Sequence, residues 1–494
     1  MMYIMGLMEQ EEQPQKHLSQ YQSGIPTEAD IPIGAEPKFH DVDRTKLSLM
    51  HFAWPIWIEN IIRVAITGAD VFMLSYYSEE AVAATGLINQ FVFFVVLLYM
   101  MVASGASIII SQNLGARDTA SAGRVAQGSI VLSVIFSVIL STALCLTAEY
   151  IVSFYQLDPL VHKYAMEYML IYCAGSISVA VCIILSTIIR SYGHSRGPMV
   201  VNAIAMAISV FGNYVFIFGA FGMPVWGVKG VALSTIFSHV VACALLWVML
   251  KRRRDIVLEK GKMLRVPRSV YRQILSVGVP TAGENVSYNI GQIIIMRFMA
   301  TLGTEAMTAF VYAITILRFV FITSISIGTA AQIKVGYYVG AGMAEIAHKK
   351  VYRYFLSGFA ISVVLVVIAK LFQAPILYMF TQNENIHLLA FMVLTVALIH
   401  EPGRNFNVII IPALKGAGDV RFPVYMGIVF MWGVGVTFAY IFGISLGWGL
   451  LGIAVAMAMD EWLRGIVMFF RWKSGKWKTK ALVQNQQMAA HAGD

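Results

Sequence analysis

Two stretches of the chain decide its fold, because one repeats the pattern of the other. Residues 47–76 read LSLMHFAWPIWIENIIRVAITGADVFMLSY, and residues 272–301 read RQILSVGVPTAGENVSYNIGQIIIMRFMAT. Both are predominantly apolar and exceed the roughly 20 residues that a helix needs to cross a bilayer. Both also contain Pro-x-x-x-Glu-Asn, at 55–60 and 280–285. An offset of 225 residues therefore relates two predicted membrane helices.

The composition of the whole chain agrees with a membrane protein. Hydrophobic residues make up 58% of the 494 residues and charged residues only 13%, whereas soluble proteins are about a quarter charged. Apolar runs long enough to cross a bilayer recur throughout, which predicts an all-α membrane protein with twelve transmembrane helices. We expect these helices at 47–76, 81–112, 125–150, 164–188, 199–222, 228–250, 272–301, 305–337, 351–374, 386–415, 422–446 and 449–472.

The repeat extends through both halves of the chain. The offset of 225 also places Gly115 on Gly340 and Gly193 on Gly418. Six helices repeated in parallel predict two pseudo-symmetric six-helix lobes, related by an axis along the membrane normal and separated by a central cleft. The predicted parts are a flexible tail over 1–46, an N-lobe over 47–250, a linker over 251–271, a C-lobe over 272–472 and a tail over 473–494.

The positions of the basic residues predict the orientation. The chain has 36 Lys and Arg against 27 Asp and Glu, and most of the basic residues fall near span ends on one predicted side. Lys and Arg in such loops are retained in the cytoplasm, so both termini and the linker are expected there. Arg190, Lys334 and Lys415 are counted among these loop charges. The linker alternates basic with apolar residues, which suits contact with an anionic membrane surface and does not require nucleic acid.

Several classes of protein are disfavoured by what the sequence lacks. The four cysteines all fall within apolar runs, so their spacing indicates neither a disulfide framework nor a metal site. No G-x-x-x-x-G-K-[ST] phosphate loop is present. Energy for any transport must then come from an ion gradient or be supplied elsewhere, and no enzyme activity or cofactor is expected beyond H+ or Na+.

Ionisable residues within the spans are the candidate functional groups, because each costs roughly 2.5–3.5 kcal/mol to insert. Glu59, Arg63 and Asp70 share one face of the first span. Asp70 and Glu284 have no basic residue one turn away, which makes them the foremost candidates for binding a coupling cation. An unpaired Glu284 is expected to exchange a proton for another cation, whereas Glu59, beside Arg63, is expected to be structural. The seventh and tenth spans add the polar candidates Asn285, Tyr288, Gln292, Glu401, Arg404 and Asn407.

Glu401 and Arg404 leave two interpretations open. Their spacing of three residues allows a neutralised ion pair within one helix, and Glu59 with Arg63 allows the same at a spacing of four. Such a pair could be purely structural. It still needs a wet or protein-lined environment, so Glu401 remains a candidate for cation binding.

Short motifs follow one another in a characteristic order. They are Pro55 with Asp70, Ala81-Val82-Ala83-Ala84-x-Gly86, Gly115-Ala116-Arg117, Arg190-Ser191-x-Gly193 with Pro198 and Asn202, Phe216-Ile217-Phe218-Gly219, Gly227-Val228-x-Gly230, Gly278-Val279-Pro280-x-x-x-Glu284, Gln332-x-x-x-Gly336-x-x-x-Gly340-Ala341-Gly342, Glu401-Pro402-Gly403-Arg404-x-x-Asn407 and Gly416-Ala417-Gly418-Asp419. This ordered set, over about 47–472, resembles the multidrug and toxic compound extrusion (MATE) transporters.

The resemblance implies a plasma-membrane exporter that exchanges Na+ or H+ for organic cations or other amphipathic compounds by rocking of two lobes, and we expect it to be a monomer. The acidic residue in the family's first helix corresponds to Asp70. An Asn-x-x-x-Asp pair in the fifth helix of many members corresponds to Ser209 and Asn213 here, so one charge is lost, while Thr235 in the sixth helix is a further expected ligand. Glu284 and Glu401 resemble the acids of another branch, which leaves open the lobe that couples transport.

Two other functions were weighed against an antiporter. A flippase of lipid-linked precursors belongs to the same broad superfamily, but such proteins usually line their cleft with arginines for a pyrophosphate. This chain has at least as many acids as bases in its spans. A passive channel or a receptor would not need two mobile lobes that carry carboxylates.

Overall fold

The computed structural model describes residues 43–258 and 266–483, and the described chain is helical with no strand. Predictions for residues 1–42, for the linker residues 259–265 and for residues 484–494 lie outside this part. The long helices are α1 Leu49–Ser75, α2 Glu79–Gly115, α3 Thr119–Ser153, α4 Pro159–Ser191, α5 Arg196–Phe218, α6 Val228–Arg252, α7 Arg268–Thr301, α8 Thr304–Gly340, α9 Ala344–Leu371, α10 Glu384–Gly416, α11 Arg421–Ser445 and α12 Gly449–Lys473. The prediction of an all-α membrane protein with six helices in each half is confirmed.

Local sequence determines where the helices begin and end. Ser48 and Ser78 accept hydrogen bonds from backbone N–H groups in the first turns of α1 and α2, which satisfies donors that the helix leaves unpaired. Gly219 ends α5 in the left-handed region at φ 64°. This helix therefore stops at Phe218, before the predicted 222. Helices α2 and α8 extend to Gly115 and Gly340, beyond the predicted 112 and 337.

Helix α10 is irregular at the level of the bilayer. Its backbone is π-helical over Phe406–Ile410, directly before Pro412. Proline has no N–H and its ring excludes the carbonyl four residues earlier, so the hydrogen-bond register must change there. The wider turn carries Asn407 and Val408, and both line the cavity described below.

Nine of the long helices in the described chain have the length, hydropathy and low charge of a membrane span, and α1, α7 and α12 do not meet these conditions together. The difference follows from their sequences. Helix α1 carries Glu59 and Asp70, α7 carries Glu284, and α12 carries Asp460 and Glu461. Helices of this polarity must turn towards protein or water, so their charged faces lie inside the lobes.

In the described chain the two lobes share a hydrophobic core at one end of the molecule. There a single hydrophobic core includes Ile109 and Leu185 of the first half together with Ile333 and Ile409 of the second half. At the opposite end each half has its own core. The joined end, which carries the N-terminus of α1 and the C-termini of α2 and α8, is called the closed face below. The cleft between the lobes opens at the other end.

Glycines allow α2 and α8 to approach closely at the closed face. A Cβ atom at Gly115 would lie 2.2 Å from the carbonyl oxygen of Tyr337, and one at Gly340 would lie 1.9 Å from that of Gln112. These two contacts exchange under the repeat offset. The Tyr337 hydroxyl donates to the Ser191 carbonyl at 2.6 Å. The closed face is thus held by backbone contact and by hydrogen bonds between the lobes.

Candidate functional site

Each lobe contains an equivalent buried ion pair. In the N-lobe, Nη2 of Arg190 on α4 lies 2.6 Å from Oε2 of Glu59 on α1. In the C-lobe, Nζ of Lys415 on α10 lies 2.6 Å from Oε2 of Glu284 on α7. The offset of 225 that relates the two glutamates also relates the two cations. The repeat has therefore preserved a carboxylate, a cation and the contact between them.

These pairs correct two expectations. Arg190 and Lys415 are not loop charges, because each lies in the last turn of a helix and faces into its lobe. Glu284 is not unpaired, since Lys415 reaches it from a helix distant in sequence. The partner of Glu59 at the shortest distance is Arg190, whereas the Arg63 guanidinium lies 3.5 Å away and its side chain is 58% exposed. Lys334, also expected in a loop, is buried on α8 and donates to the carbonyls of Thr45 and Leu47.

Within the described chain, the glutamate of the N-lobe pair has a hydrogen-bond donor that the glutamate of the C-lobe pair lacks. Asn202 Nδ2 donates to Glu59 Oε1 at 2.9 Å. The offset places Gly427 where Asn202 stands, and a Cβ atom there would lie 3.0 Å from Oε1 of Glu284. Glu284 thus packs against a glycine where Glu59 receives a hydrogen bond.

Asp70 lies in a different environment. Its Oδ1 accepts a hydrogen bond from Asn213 Nδ2 at 2.5 Å. Among the described residues, no Lys, Arg or His side chain lies within ion-pair distance of this carboxylate. Ser209 and Asn213 are 3% and 0% exposed. In the described chain, three neutral oxygens on the two neighbouring helices are buried without a hydrogen-bond partner: Ser209 Oγ, Asn213 Oδ1 and Thr235 Oγ1.

The C-lobe encloses a cavity of about 530 Å³. Helices α7, α8, α10, α11 and α12 form its wall, and it includes the seven residues of this lobe that the sequence predicts for the site. They are Glu284, Asn285, Tyr288, Gln292, Glu401, Arg404 and Asn407. Polar faces of separate helices meet here because they cannot face lipid.

Carboxylates and guanidinium groups alternate along the cavity wall. Arg404 Nη1 donates to Glu401 Oε1 at 2.8 Å, and its Nε lies 3.6 Å from Glu461 Oε1. Arg464 Nη2 lies 3.1 Å from Glu461 Oε2 and 3.0 Å from Asp460 Oδ2. Each guanidinium group therefore bridges two carboxylates, and Glu461 is shared by both. The positive and negative charges compensate one another.

The α12 part of this network was not among the site residues predicted from the sequence. Asp460, Glu461 and Arg464 were not singled out, although Glu461 and Arg464 have the same spacing of three as Glu401 and Arg404. That spacing was the available signal. Asn407 Nδ2 joins the two helices by donating to Glu461 Oε2 at 2.7 Å. No group of three or more His, Cys, Asp or Glu side chains in the described chain has the arrangement of a metal site.

Two six-helix lobes with a cleft between them and buried polar sites in each lobe define a secondary transporter rather than an enzyme. The MatE family model matches residues 55–215 and again 280–441, so its two matches start 225 residues apart. The chain belongs to the MatE family of membrane transporters.

Known proteins agree with this assignment. The chain is 35% identical over 440 residues to the uncharacterized transporter YisQ of Bacillus subtilis (strain 168), covering 89% of this chain and 96% of the relative. It is 27% identical to the probable multidrug resistance protein NorM of Thermotoga maritima, covering 91% and 96% of the two chains. A solved multidrug resistance MATE family transporter in an outward-facing conformation superimposes with a TM-score of 0.79 at 21% identity, covering 89% of this chain and 98% of that chain.

Proposed function

We propose that the protein is a cation-coupled antiporter that exports organic cations or other small amphipathic compounds in exchange for H+ or Na+. The observation that carries the proposal is the contrast between Asp70 and the C-lobe cavity. Asp70 accepts a hydrogen bond from Asn213, a neutral amide whose own oxygen lacks a partner within the described chain, whereas the carboxylates of the cavity already have cationic partners.

The surroundings of Asp70 suit a single small cation. A carboxylate with amide and hydroxyl oxygens is the kind of ligand set that hard cations prefer, and a carboxylate alone suffices for a proton. Ser209, Asn213 and Thr235 supply oxygens that lack partners within the described chain. Buried oxygens of this kind cost free energy unless a donor or a cation satisfies them. A coupling ion bound between Asp70 and the Asn213 amide oxygen would remove that cost for Asn213.

The C-lobe cavity suits the transported compound. Its volume of about 530 Å³ lies within the range of roughly 300–1,000 Å³ for small-molecule sites. Tyr288, Phe310 and Phe321 supply aromatic surface, and a cationic group could compete with Arg404 for Glu401. A lipid-linked pyrophosphate is a poorer fit, because Arg404 and Arg464 are each engaged by carboxylates.

Transport requires that the cleft open alternately at the two ends. Both termini and the 251–271 linker are proposed to be cytoplasmic in the plasma membrane, with the monomer as the working unit. The closed face is then cytoplasmic and the described conformation opens outwards. We expect Met223→Cys, in the loop between α5 and α6, to react with an impermeant maleimide in intact cells, and Lys251→Cys not to react. If Lys251→Cys reacted and Met223→Cys did not, the proposed topology would be inverted.

The coupling site is tested by Asp70→Asn in proteoliposomes that contain a fluorescent organic cation. Na+ and pH gradients are imposed separately. We expect Asp70→Asn to fold and to lose gradient-driven uptake or efflux under both gradients, because the amide can bind neither ion as the carboxylate does. Glu80→Gln, at an exposed acid on α2, is the matched control and should transport normally. If Asp70→Asn coupled transport to the gradients as the wild type does, Asp70 would not be the coupling site.

A further inference from the structure

A second cavity, of about 620 Å³, lies in the N-lobe at the closed face. Three segments surround it: the residues before α1, the turn between α4 and α5, and the residues after α6. Its wall includes Arg44, Tyr192, His194, Ser195, Arg196 and Asp255. None of these residues belongs to the sites described above.

The wall of this cavity is strongly basic. It contains five arginines and one carboxylate, Asp255. That carboxylate is already neutralised, because Arg44 Nη2 lies 3.0 Å from its Oδ2 and His194 Nε2 lies 2.9 Å from the same oxygen. Burial opposes ionisation of Asp255, but the hydrogen bond from His194 and the charges of His194 and Arg44 hold its pKa below the ordinary value. Arg196, Arg252 and Arg253 add further positive charge to the cavity wall.

Two buried hydroxyl groups in the wall have no hydrogen-bond partner among the described residues. They are Ser195 Oγ and Tyr192 Oη, and each residue is 1% exposed. Ser195 stands at the N-cap of α5, yet its side chain does not cap the helix. The N-terminus of this 23-residue helix adds partial positive charge at the same place. Both residues belong to the cavity wall, and their hydroxyl donors lack an acceptor within the described chain.

The equivalent place in the C-lobe is filled by the chain itself. Gly418 corresponds to Gly193, and a Cβ atom on Gly418 would lie 2.2 Å from the carbonyl oxygen of Lys480. A Cβ atom on Gly193 would meet only the side chain of Leu47, at 3.2 Å. Trp477, from the segment that follows α12, is fully buried. In the N-lobe the residues after α6 contact the same turn through Asp255 and His194, yet no backbone packs against Gly193 within the described chain, and a basic cavity remains beside it.

We infer that this cavity binds the phosphate group of an anionic ligand, supplied either by a lipid headgroup of the adjacent leaflet or by a soluble phosphate compound. Guanidinium groups and helix N-termini are the usual ligands of phosphate in proteins. The position at the membrane face is compatible with a lipid, and the volume admits a headgroup. The inference does not depend on which compound is transported.

The site also connects the two lobes. Lys334 of α8 donates to the carbonyl oxygen of Thr45 at 2.7 Å, and Arg44 of the same short segment is in the cavity wall. A phosphate held by the arginines would fix this segment and, through Lys334, the C-lobe. Ligand binding is therefore expected to favour the conformation in which this face is closed.

Binding can be measured by microscale thermophoresis on the purified full-length protein. The probes are water-soluble dihexanoyl phosphatidylglycerol, dihexanoyl phosphatidylcholine, glycerol phosphate and inorganic phosphate. We expect an anionic probe to bind, and Arg196→Gln to weaken its affinity about tenfold, as loss of one charge-assisted hydrogen bond does. Ser195→Ala should weaken it less. Arg421→Gln is the matched control, because Arg421 is the exposed repeat counterpart of Arg196 in the filled C-lobe position.

The probes distinguish the sources of the phosphate. Binding of phosphatidylglycerol alone identifies a lipid, whereas equal binding of glycerol phosphate or inorganic phosphate identifies a soluble ligand. The inference is overturned if no anionic probe binds, or if Arg196→Gln binds as tightly as the wild type. It is also overturned if Arg421→Gln loses as much affinity as Arg196→Gln. Arg252→Gln provides a second variant should Arg196→Gln fail to elute as a single species.

Discussion

Removal of Lys415 tests the ion pair that the two lobes share. Lys415→Met keeps the length of the side chain and deletes its charge, which leaves the Glu284 carboxylate without its cation and with its side chain only 11% exposed. Arg190→Met is the matched variant in the N-lobe. There Glu59 retains the Asn202 amide at 2.9 Å and the Arg63 guanidinium at 3.5 Å. The same deletion is therefore expected to cost more in the C-lobe.

The magnitude follows from the geometry of the pair. Two unit charges 2.6 Å apart attract by about 6 kcal/mol at an effective dielectric constant of about 20. Part of this attraction is offset because the methionine variant no longer buries an ammonium group, so a net loss of about 3–5 kcal/mol is expected. Arg190→Met should lose less than half of that. Glu284→Gln should also lose less than Lys415→Met, because the lysine stem can carry its charge towards water.

The assay is thermal unfolding of the purified protein in detergent, followed by tryptophan fluorescence at one fixed heating rate, because large membrane proteins often unfold irreversibly. We expect the midpoint to fall furthest in Lys415→Met, and the double variant Glu284→Gln with Lys415→Met to recover at least half of the loss. Such recovery measures the coupling between the two groups. An unchanged midpoint in Lys415→Met, or a double variant less stable than Lys415→Met, would refute the argument.

Two further predictions concern the closed face. Gly340→Ala places a methyl group against an α2 carbonyl 1.9 Å away, so the lobes should separate there and a cysteine introduced at Ile108, which is 0% exposed, should react with maleimide several times faster. Gly86→Ala has no atom within 4 Å of the added methyl group and should leave the rate unchanged. Asp255→Asn removes the partner of Arg44, so hydrogen exchange in residues 43–48 should rise about tenfold at neutral pH. Because the pKa of Asp255 is lowered from 3.8, the wild-type protection should be complete above that pH and disappear only as the pH falls below it.

The architecture could be predicted from the sequence because its cause is local. Membrane helices are set by runs of apolar residues, and the lobes follow from the offset between Pro55 and Pro280. The residues of the C-lobe cavity could also be found, since a polar side chain such as Gln292 or Asn407 within a span must turn away from lipid. Each of these predictions depends on the sequence of a single helix and not on which helices pack against it.

The ion pairs could not be predicted in this way, because each joins helices 131 residues apart in the chain. Arg190 and Lys415 stand near span ends, where basic residues ordinarily reach the aqueous loops. The internal repeat contained the information needed to predict these ion pairs. Both positions are basic and differ by the offset that relates Glu59 to Glu284, so a buried partner for each glutamate could have been inferred from the two halves together.

Comparison of the two lobes distinguishes residues with a structural role, which occur in both lobes, from candidate functional residues, which occur in only one. The ion pair is present in both halves, which indicates a role in holding α1 to α4 and, equivalently, α7 to α10. Asp70 has no such counterpart, because the offset places it on Ile295, an apolar residue that is 1% exposed. Glu401 in turn corresponds to Ser176. The lone acid of one lobe and the charged network of the other therefore distinguish the two halves, and this asymmetry suits the proposed exchange of two different ligands.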